Sequence, residues 1–215
     1  MLPILLNKKL HMNKCYQLKD IQLHLNKKII LDKINLDVNE EGITMIEGHN
    51  GAGKTSLLKI MANLIKPTNG SMKIYNKKYY EKSSFVFQKP IFLNRSVISN
   101  LKYALACNNC PMHDINIAID YLHHFNLIHL LKSQAKVLSI GEQQIISFIR
   151  AIIINPHILY LDEPTSNLDL NFTKLIESEI LDLSKKIKVI MISQSKEQIN
   201  LLQNHLITLN SGKLT

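Results

Sequence analysis

Gly48-His49-Asn50-Gly51-Ala52-Gly53-Lys54-Thr55 decides how this chain folds. The stretch fits G-x-x-x-x-G-K-[ST], a loop that cradles nucleotide phosphates. Gly48, Gly51 and Gly53 can take backbone angles closed to other residues, so successive N–H groups can turn inward as an anion-binding nest. The following helix adds its positive end. Lys54 supplies a point charge for the outer phosphates, the Thr55 hydroxyl can ligate Mg²⁺, and Ser56 completes the run. Ile43-Thr44-Met45-Ile46 reads as a buried strand entering the loop, and Leu57, Met61 and Leu64 recur at helical spacing after it. A glycine-rich turn with a chance lysine would lack that strand–loop–helix setting.

The 215 residues suffice for a sizeable core, and the hydrophobic content of 46% is ordinary for a globular protein. No run of roughly 18 apolar residues exists, so no membrane-spanning helix is expected. Met1–Lys9 puts its charge after a very short apolar run, the wrong order for a secretory signal. Cys15, Cys107 and Cys110 are too few for a disulfide scaffold and suit a reducing cytosol. The net charge of +9 comes from 26 Lys and Arg against 17 Asp and Glu. Lysine is spread without a dense run, so no nucleic-acid surface is expected.

Residues 16–38 alternate apolar and polar positions, as in strands of a half-covered sheet. Ile43–Ile46, Ser84–Phe87, Ile158–Leu161 and Val189–Ile192 read as inner strands. Such runs alternating with helices argue for a mostly parallel sheet covered on both faces. From about 90 to 155 the strand signals vanish. Ser96–Ala106 and Asp114–Phe125 have helical periodicity, with Ser96 and Asp114 as caps, and Glu142–Ile154 is apolar nearly all round. Leu206–Leu214 reads as a closing hairpin turning at Ser211-Gly212. The expected architecture is a single α/β domain over 1–215. It has a P-loop NTPase core with a mostly parallel sheet, an antiparallel β part and an inserted helical subdomain at about 90–155.

His157-Ile158-Leu159-Tyr160-Leu161-Asp162-Glu163-Pro164 is a hydrophobic strand ending in an acidic pair. Asp162 is placed to anchor Mg²⁺ through water, and Glu163 to act as general base or polarising group for the attacking water. Leu138-Ser139-Ile140-Gly141-Glu142-Gln143-Gln144 resembles the signature motif L-S-G-G-[QE]-Q-Q of ATP-binding cassette (ABC) ATPases. Gln88, in Phe87-Gln88-Lys89-Pro90, is similar to that family's Q-loop glutamine, and Ser166-Asn167-Leu168-Asp169 to its D-loop. The motifs come in family order and spacing, and the resemblance runs from about residue 15 to 215.

The resemblance implies ATP and Mg²⁺ as ligands, with Gln88 near the metal, and a second cassette paired head to tail. Each ATP then lies between one chain's phosphate loop and the partner's signature, whose Ser139 and Gly141 N–H groups face the γ-phosphate. Glu142 suits the helix dipole, and Asp169 passes information between the sites. An integral membrane permease docks on the inserted subdomain at the cytoplasmic face, with a solute-binding protein if the system imports.

Three positions depart from the pattern. Ile140 replaces a glycine of the signature; a β-branched residue resists unusual backbone angles and adds bulk, so weaker clamping of ATP is expected. Gln194, in Ser193-Gln194-Ser195, stands where the family places a histidine; it donates a hydrogen bond but carries no charge, so slowed hydrolysis is expected. Leu25, beside His24, falls where an aromatic usually stacks on adenine, and offers apolar contact only. Cys107, Cys110 and His113 have metal-like spacing without a second ligand pair, and read as a loop with free thiols. His123, His124 and His129 read as surface or packing residues. Tyr79-Tyr80 reads as part of a strand or turn of the antiparallel region. Phe87–Val97 resembles F-Q-[KR]-P-x-x-L-x-R-S-V of tungstate-type oxyanion importers, as do Gly42-Ile43-Thr44 and Leu2-Pro3-Ile4. Phosphate and amino-acid importers, a haem or lipoprotein exporter cassette, a soluble DNA-repair or translation protein and a non-hydrolysing clamp are the alternatives.

Overall fold

The computed structural model describes residues 14–215. The N-terminal segment read above for a secretory signal and for Leu2-Pro3-Ile4 lies outside them. The alternating stretch forms two long strands, β1 (Lys14–Leu25) and β2 (Lys28–Asn39), paired antiparallel. Asn26 and Lys27 join them with φ of 48° and 66°, the handedness that matches strand twist in a two-residue turn. The apolar run before the phosphate loop is β3 (Ile43–Glu47), and α1 (Lys54–Met61) follows it. β4 (Asn69–Ile74) then returns to pair with β1, giving a three-stranded sheet ordered β2-β1-β4.

The other sheet contains β3 with β5 (Ser83–Val86), β6 (Ile158–Asp162), β7 (Lys188–Ile192), β8 (His205–Asn210) and β9 (Lys213–Leu214), in the order β5-β6-β7-β3-β8-β9. Neighbours from β5 to β8 are parallel, and β9 closes the edge as the antiparallel arm of the expected hairpin. Burial on both faces explains the unbroken apolar runs. Tyr160, Ile190 and Ile192 face one core with Leu18, Leu31 and Leu57 of β1, β2 and α1. Leu159, Leu161 and Met191 face a second core built with helices.

Those helices are α3 (Val97–Cys107), α4 (Ile115–His124), α5 (Ile140–Ile152), α6 (Leu170–Ser184) and α7 (Lys196–Leu202), after a short α2 (Lys78–Glu81). Between 90 and 155 the described strand pairing is one isolated bridge, Ser96 to Gln134. Ser96 caps α3, its side chain accepting from the Ser99 N–H. Asp114 does not cap α4: its backbone is already helical, it ends a 3₁₀ turn, and its carboxylate lies 3.4 Å from His113. Tyr79-Tyr80 lies in α2 and not in a strand or turn. Asn76 starts that helix by accepting from the Lys78 N–H, and Tyr79 is buried against Tyr16. Core burial of the Tyr79 ring outweighs the β preference of aromatics.

A buried polar chain ties the two sheets. The Tyr160 hydroxyl donates to the Met61 carbonyl at 2.9 Å, so the Tyr16 hydroxyl, 2.6 Å away, donates to Tyr160. Both tyrosines are almost fully buried. Tyr160→Phe leaves two buried polar groups unpaired and is expected to cost about 2–3 kcal/mol. Urea unfolding of the two proteins checks this.

Candidate active site

The loop after β3 is fixed by close approaches. Gly48 has φ of 148°, and a Cβ there would sit 2.1 Å from the Leu209 carbonyl oxygen of β8. Gly53 has φ of 101°, and its Cβ would meet the Ile30 carbonyl oxygen at 2.8 Å. Gly51 is in open space and needs only its φ of 82°. Gly53 is also the N-cap of α1, whose first turn carries no acidic residue, so the positive helix end is left for an anion. The Ala52 N–H donates to His49 O at 3.1 Å, and the Ala52 carbonyl accepts from the Gly212 N–H at 3.0 Å. The His49 ring lies 2.8 Å from Asn50 O and 3.3 Å from the Ser211 N–H. The β8–β9 turn therefore braces the loop, a support that the sequence did not signal. Lys54 is 6% exposed, and its Nζ donates to Gly48 O at 2.7 Å and His49 O at 3.0 Å, across the mouth of the cradle. Ser56 follows Thr55 in the first turn of α1.

The Thr55 hydroxyl donates to Asp162 Oδ1 at 3.1 Å. Asp162 is 3% exposed and has no ion-pair partner among the described residues. Burial pushes its carboxyl above the usual range; the Thr55 bond opposes this and the Glu163 charge adds to it. An under-compensated carboxylate beside a hydroxyl is a donor set that suits Mg²⁺. Glu163 follows with φ of 49°, a left-handed conformation costing about 1–3 kcal/mol in a non-glycine residue. Its N–H donates to Ile192 O at 3.2 Å, and its carbonyl accepts from the Ser166 hydroxyl. The Gln88 amide donates to one carboxylate oxygen of Glu163 at 3.0 Å, and the Gln194 amide donates to the other. A cavity of about 410 Å³ opens beside this group, lined by Glu163, Ser166, Gln194 and Gln198.

The remaining expected residues are not hydrogen-bonded to this cluster. Ser139 is the N-cap of α5 in a capping box with Glu142: the Ser139 N–H and hydroxyl donate to the Glu142 carboxylate at 2.8 Å, and the Glu142 N–H donates back. The Ser-x-x-Glu spacing is the sequence signal of this box. Ile140 is the first helical residue of α5 and 62% exposed, so it needs no unusual backbone angle; only its bulk remains as a departure. A Cβ on Gly141 would meet the Asn167 carbonyl oxygen at 3.2 Å, so glycine lets α5 start against the segment 166–169. Asp169 caps α6, accepting from the Phe172 N–H at 2.9 Å. Leu25 ends β1 and is 50% exposed. Arg150 of α5, missed in the sequence, donates to Ile91 O at 2.8 Å and covers the Phe92 ring, holding the segment after Gln88. The cysteine of the 107–110 loop nearest the core, Cys110, has its Sγ 3.8 Å from Ile154 O. His124 pairs with Glu179 at 3.3 Å.

A family model described as ABC transporter matches residues 31–166. The chain belongs to the ABC transporter family. It is 33% identical over 191 residues to the tungstate uptake system ATP-binding protein TupC of Peptoclostridium acidaminophilum, covering 86% of this chain and 89% of that one. It is 30% identical to the molybdenum import ATP-binding protein ModC of Photobacterium profundum, covering 84% of this chain and 53% of that one. A solved ATP-binding subunit of an ABC transporter superposes with a TM-score of 0.84 at 18% identity, over 93% of this chain and 88% of the other. ABC ATPases bind ATP and couple its hydrolysis to transport. Among the described residues no helix is long and apolar enough to cross a membrane.

Gly48→Ala forces Leu209 of β8 out of place and should abolish binding of a fluorescent ATP analogue. Gly51→Ala meets nothing and should cost only the left-handed strain, about tenfold in affinity. Ser139→Ala removes a cap and should lower stability by about 1 kcal/mol in thermal unfolding.

Proposed function

We propose that this chain is the ATP-hydrolysing subunit of a membrane importer of a small solute, tungstate or a related oxyanion. One observation carries the ATPase reading: the carboxylate of Glu163 is gripped by two amides beside a buried Asp162–Thr55 pair and the phosphate loop. Residues 48–56 would hold the phosphates of ATP, with Lys54 as counter-charge, and Leu25 would lie against the base. Thr55, Asp162 and Gln88 would hold Mg²⁺, which neutralises phosphate charge when bound. Glu163 takes the proton of the attacking water, whose oxygen bonds to the γ-phosphorus as the bond to ADP breaks. Gln194 orients that carboxylate in place of histidine and brings no positive charge, so turnover is slow.

A second copy would complete the site head to tail. Ser139, Gly141 and the start of α5 would face the partner's γ-phosphate, and Asp169 would sit between the two sites. An integral permease would dock on the helices of 90–155, placing the chain at the cytoplasmic face of the membrane. A solute-binding protein would deliver the cargo outside. The oxyanion rests on the Phe87–Val97 segment and on the TupC and ModC relatives. Gln194 and Ile140 favour a second reading, a cassette that binds ATP with little hydrolysis; the retained Glu163 weighs against it.

Glu163→Gln keeps shape and removes the base, so saturating Mg·ATP should convert it to a dimer in light scattering. A monomer would sink the homodimer. Gln194→His should raise turnover several-fold; an unchanged rate would refute the role given to Gln194. Tungstate uptake by cells should be lost with Lys54→Ala if the cargo is right, and unaffected uptake would remove it.

A further inference from the structure

The opposite end of the parallel sheet holds a second polar cavity that ATP chemistry does not use. It has a volume of about 580 Å³ and is lined by Lys78, Lys185, Lys186, Lys188, Glu40 and Glu41, among others. Lys188 is the first residue of β7 and shares a face with Ile190 and Ile192, so its side chain enters the layer between the two sheets. It is 1% exposed. Its Nζ donates to the Glu41 carbonyl at 2.8 Å, its one hydrogen-bond acceptor among the described residues. An ammonium carries three donors, and a buried cation without a counter-ion is costly. Burial pushes Lys188 down to about 8, and the neighbouring Cys15 thiol, itself pushed up to about 12 by burial and so protonated, gives it no counter-charge.

We propose that this cavity binds a small oxyanion or the phosphoryl group of a small metabolite, with Lys188 at its base and Lys78, Lys185 and Lys186 at its rim. The anion would take the free donors of Lys188 and draw the rim lysines inward as charge-assisted partners. The volume exceeds that of a bare phosphate and fits an organic body. Glu40 and Glu41 on the lining favour hydroxyl or ammonium groups on that body over a second anion. The site lies one strand length, roughly 16 Å, from the phosphate loop, since the five residues of β3, Ile43–Glu47, separate Gly42 on the cavity from Gly48 on the loop. It can therefore be filled together with ATP.

Equilibrium dialysis of the full chain with radiolabelled sulfate tests this. One saturable site is expected, kept in Lys54→Ala and weakened at least tenfold in Lys188→Met, which keeps an unbranched side chain but lacks the ammonium. Should Lys188→Met fail to fold, the rim variant Lys78→Ala/Lys186→Ala should weaken binding several-fold. Competition by a sugar phosphate tighter than by inorganic phosphate assigns the organic ligand; equal competition assigns the free oxyanion. Loss of the site in Lys54→Ala alone would place the sulfate in the phosphate loop and overturn the proposal. Equal binding by the Lys188 and rim variants, or no saturable site, would overturn it too.

Discussion

Parallel alignment of three neighbouring strands is the constraint on which the site depends. β5, β6 and β7 lie side by side, and their C-terminal ends fall at one level. Gln88 follows β5, Glu163 follows β6 and Gln194 follows β7. The two flanking amides therefore reach the central carboxylate from opposite sides. β3 is the next strand in order, so the phosphate loop opens at the same edge and Thr55 meets Asp162. Ligand sites outside the carboxyl ends of parallel strands follow from this geometry in general. Here the local cost is the left-handed backbone of Glu163, offset by its N–H bond to Ile192 and the two amides.

A second layer holds the loop in shape. β8 passes so close to Gly48 that no side chain fits there, and Gly212 packs its own backbone against Ile30 of β2. The phosphate loop is thus wedged between the last hairpin and the antiparallel sheet. Tyr16 and Tyr160 lock that sheet to the core through buried hydroxyls. The C-terminal hairpin, far from the loop in sequence, is a structural wall of the site.

Much of this was legible in the sequence because its physics is local. The Gly48–Thr55 spacing, the doubly buried runs at 43–46, 158–161 and 189–192, and the cap at Ser96 each declare themselves within a few residues. What stayed hidden depends on distant partners. The brace of His49 by Ser211 and the Arg150 contact with Ile91 join segments that only the fold brings together. Tyr79 was misread because its burial beside Tyr16 is set by another sheet. Asp114 failed as a cap because the 3₁₀ turn before it had already made its backbone helical. The strain first expected at Ile140 vanished once that residue became an ordinary helix start. Lys188 reads as one more of the lysines spread along the sequence, and only its position on the inward face of β7 makes it a buried cation.

The central claim is that Glu163, held by Gln88 and Gln194, is a working base. Mg²⁺-dependent ATP hydrolysis by the purified chain, with Glu163→Gln as the blank, tests it most directly. Release of inorganic phosphate above that blank is the result the geometry predicts. Rates equal to the blank, with ATP still bound, would contradict it and leave a cassette that clamps ATP without cleaving it.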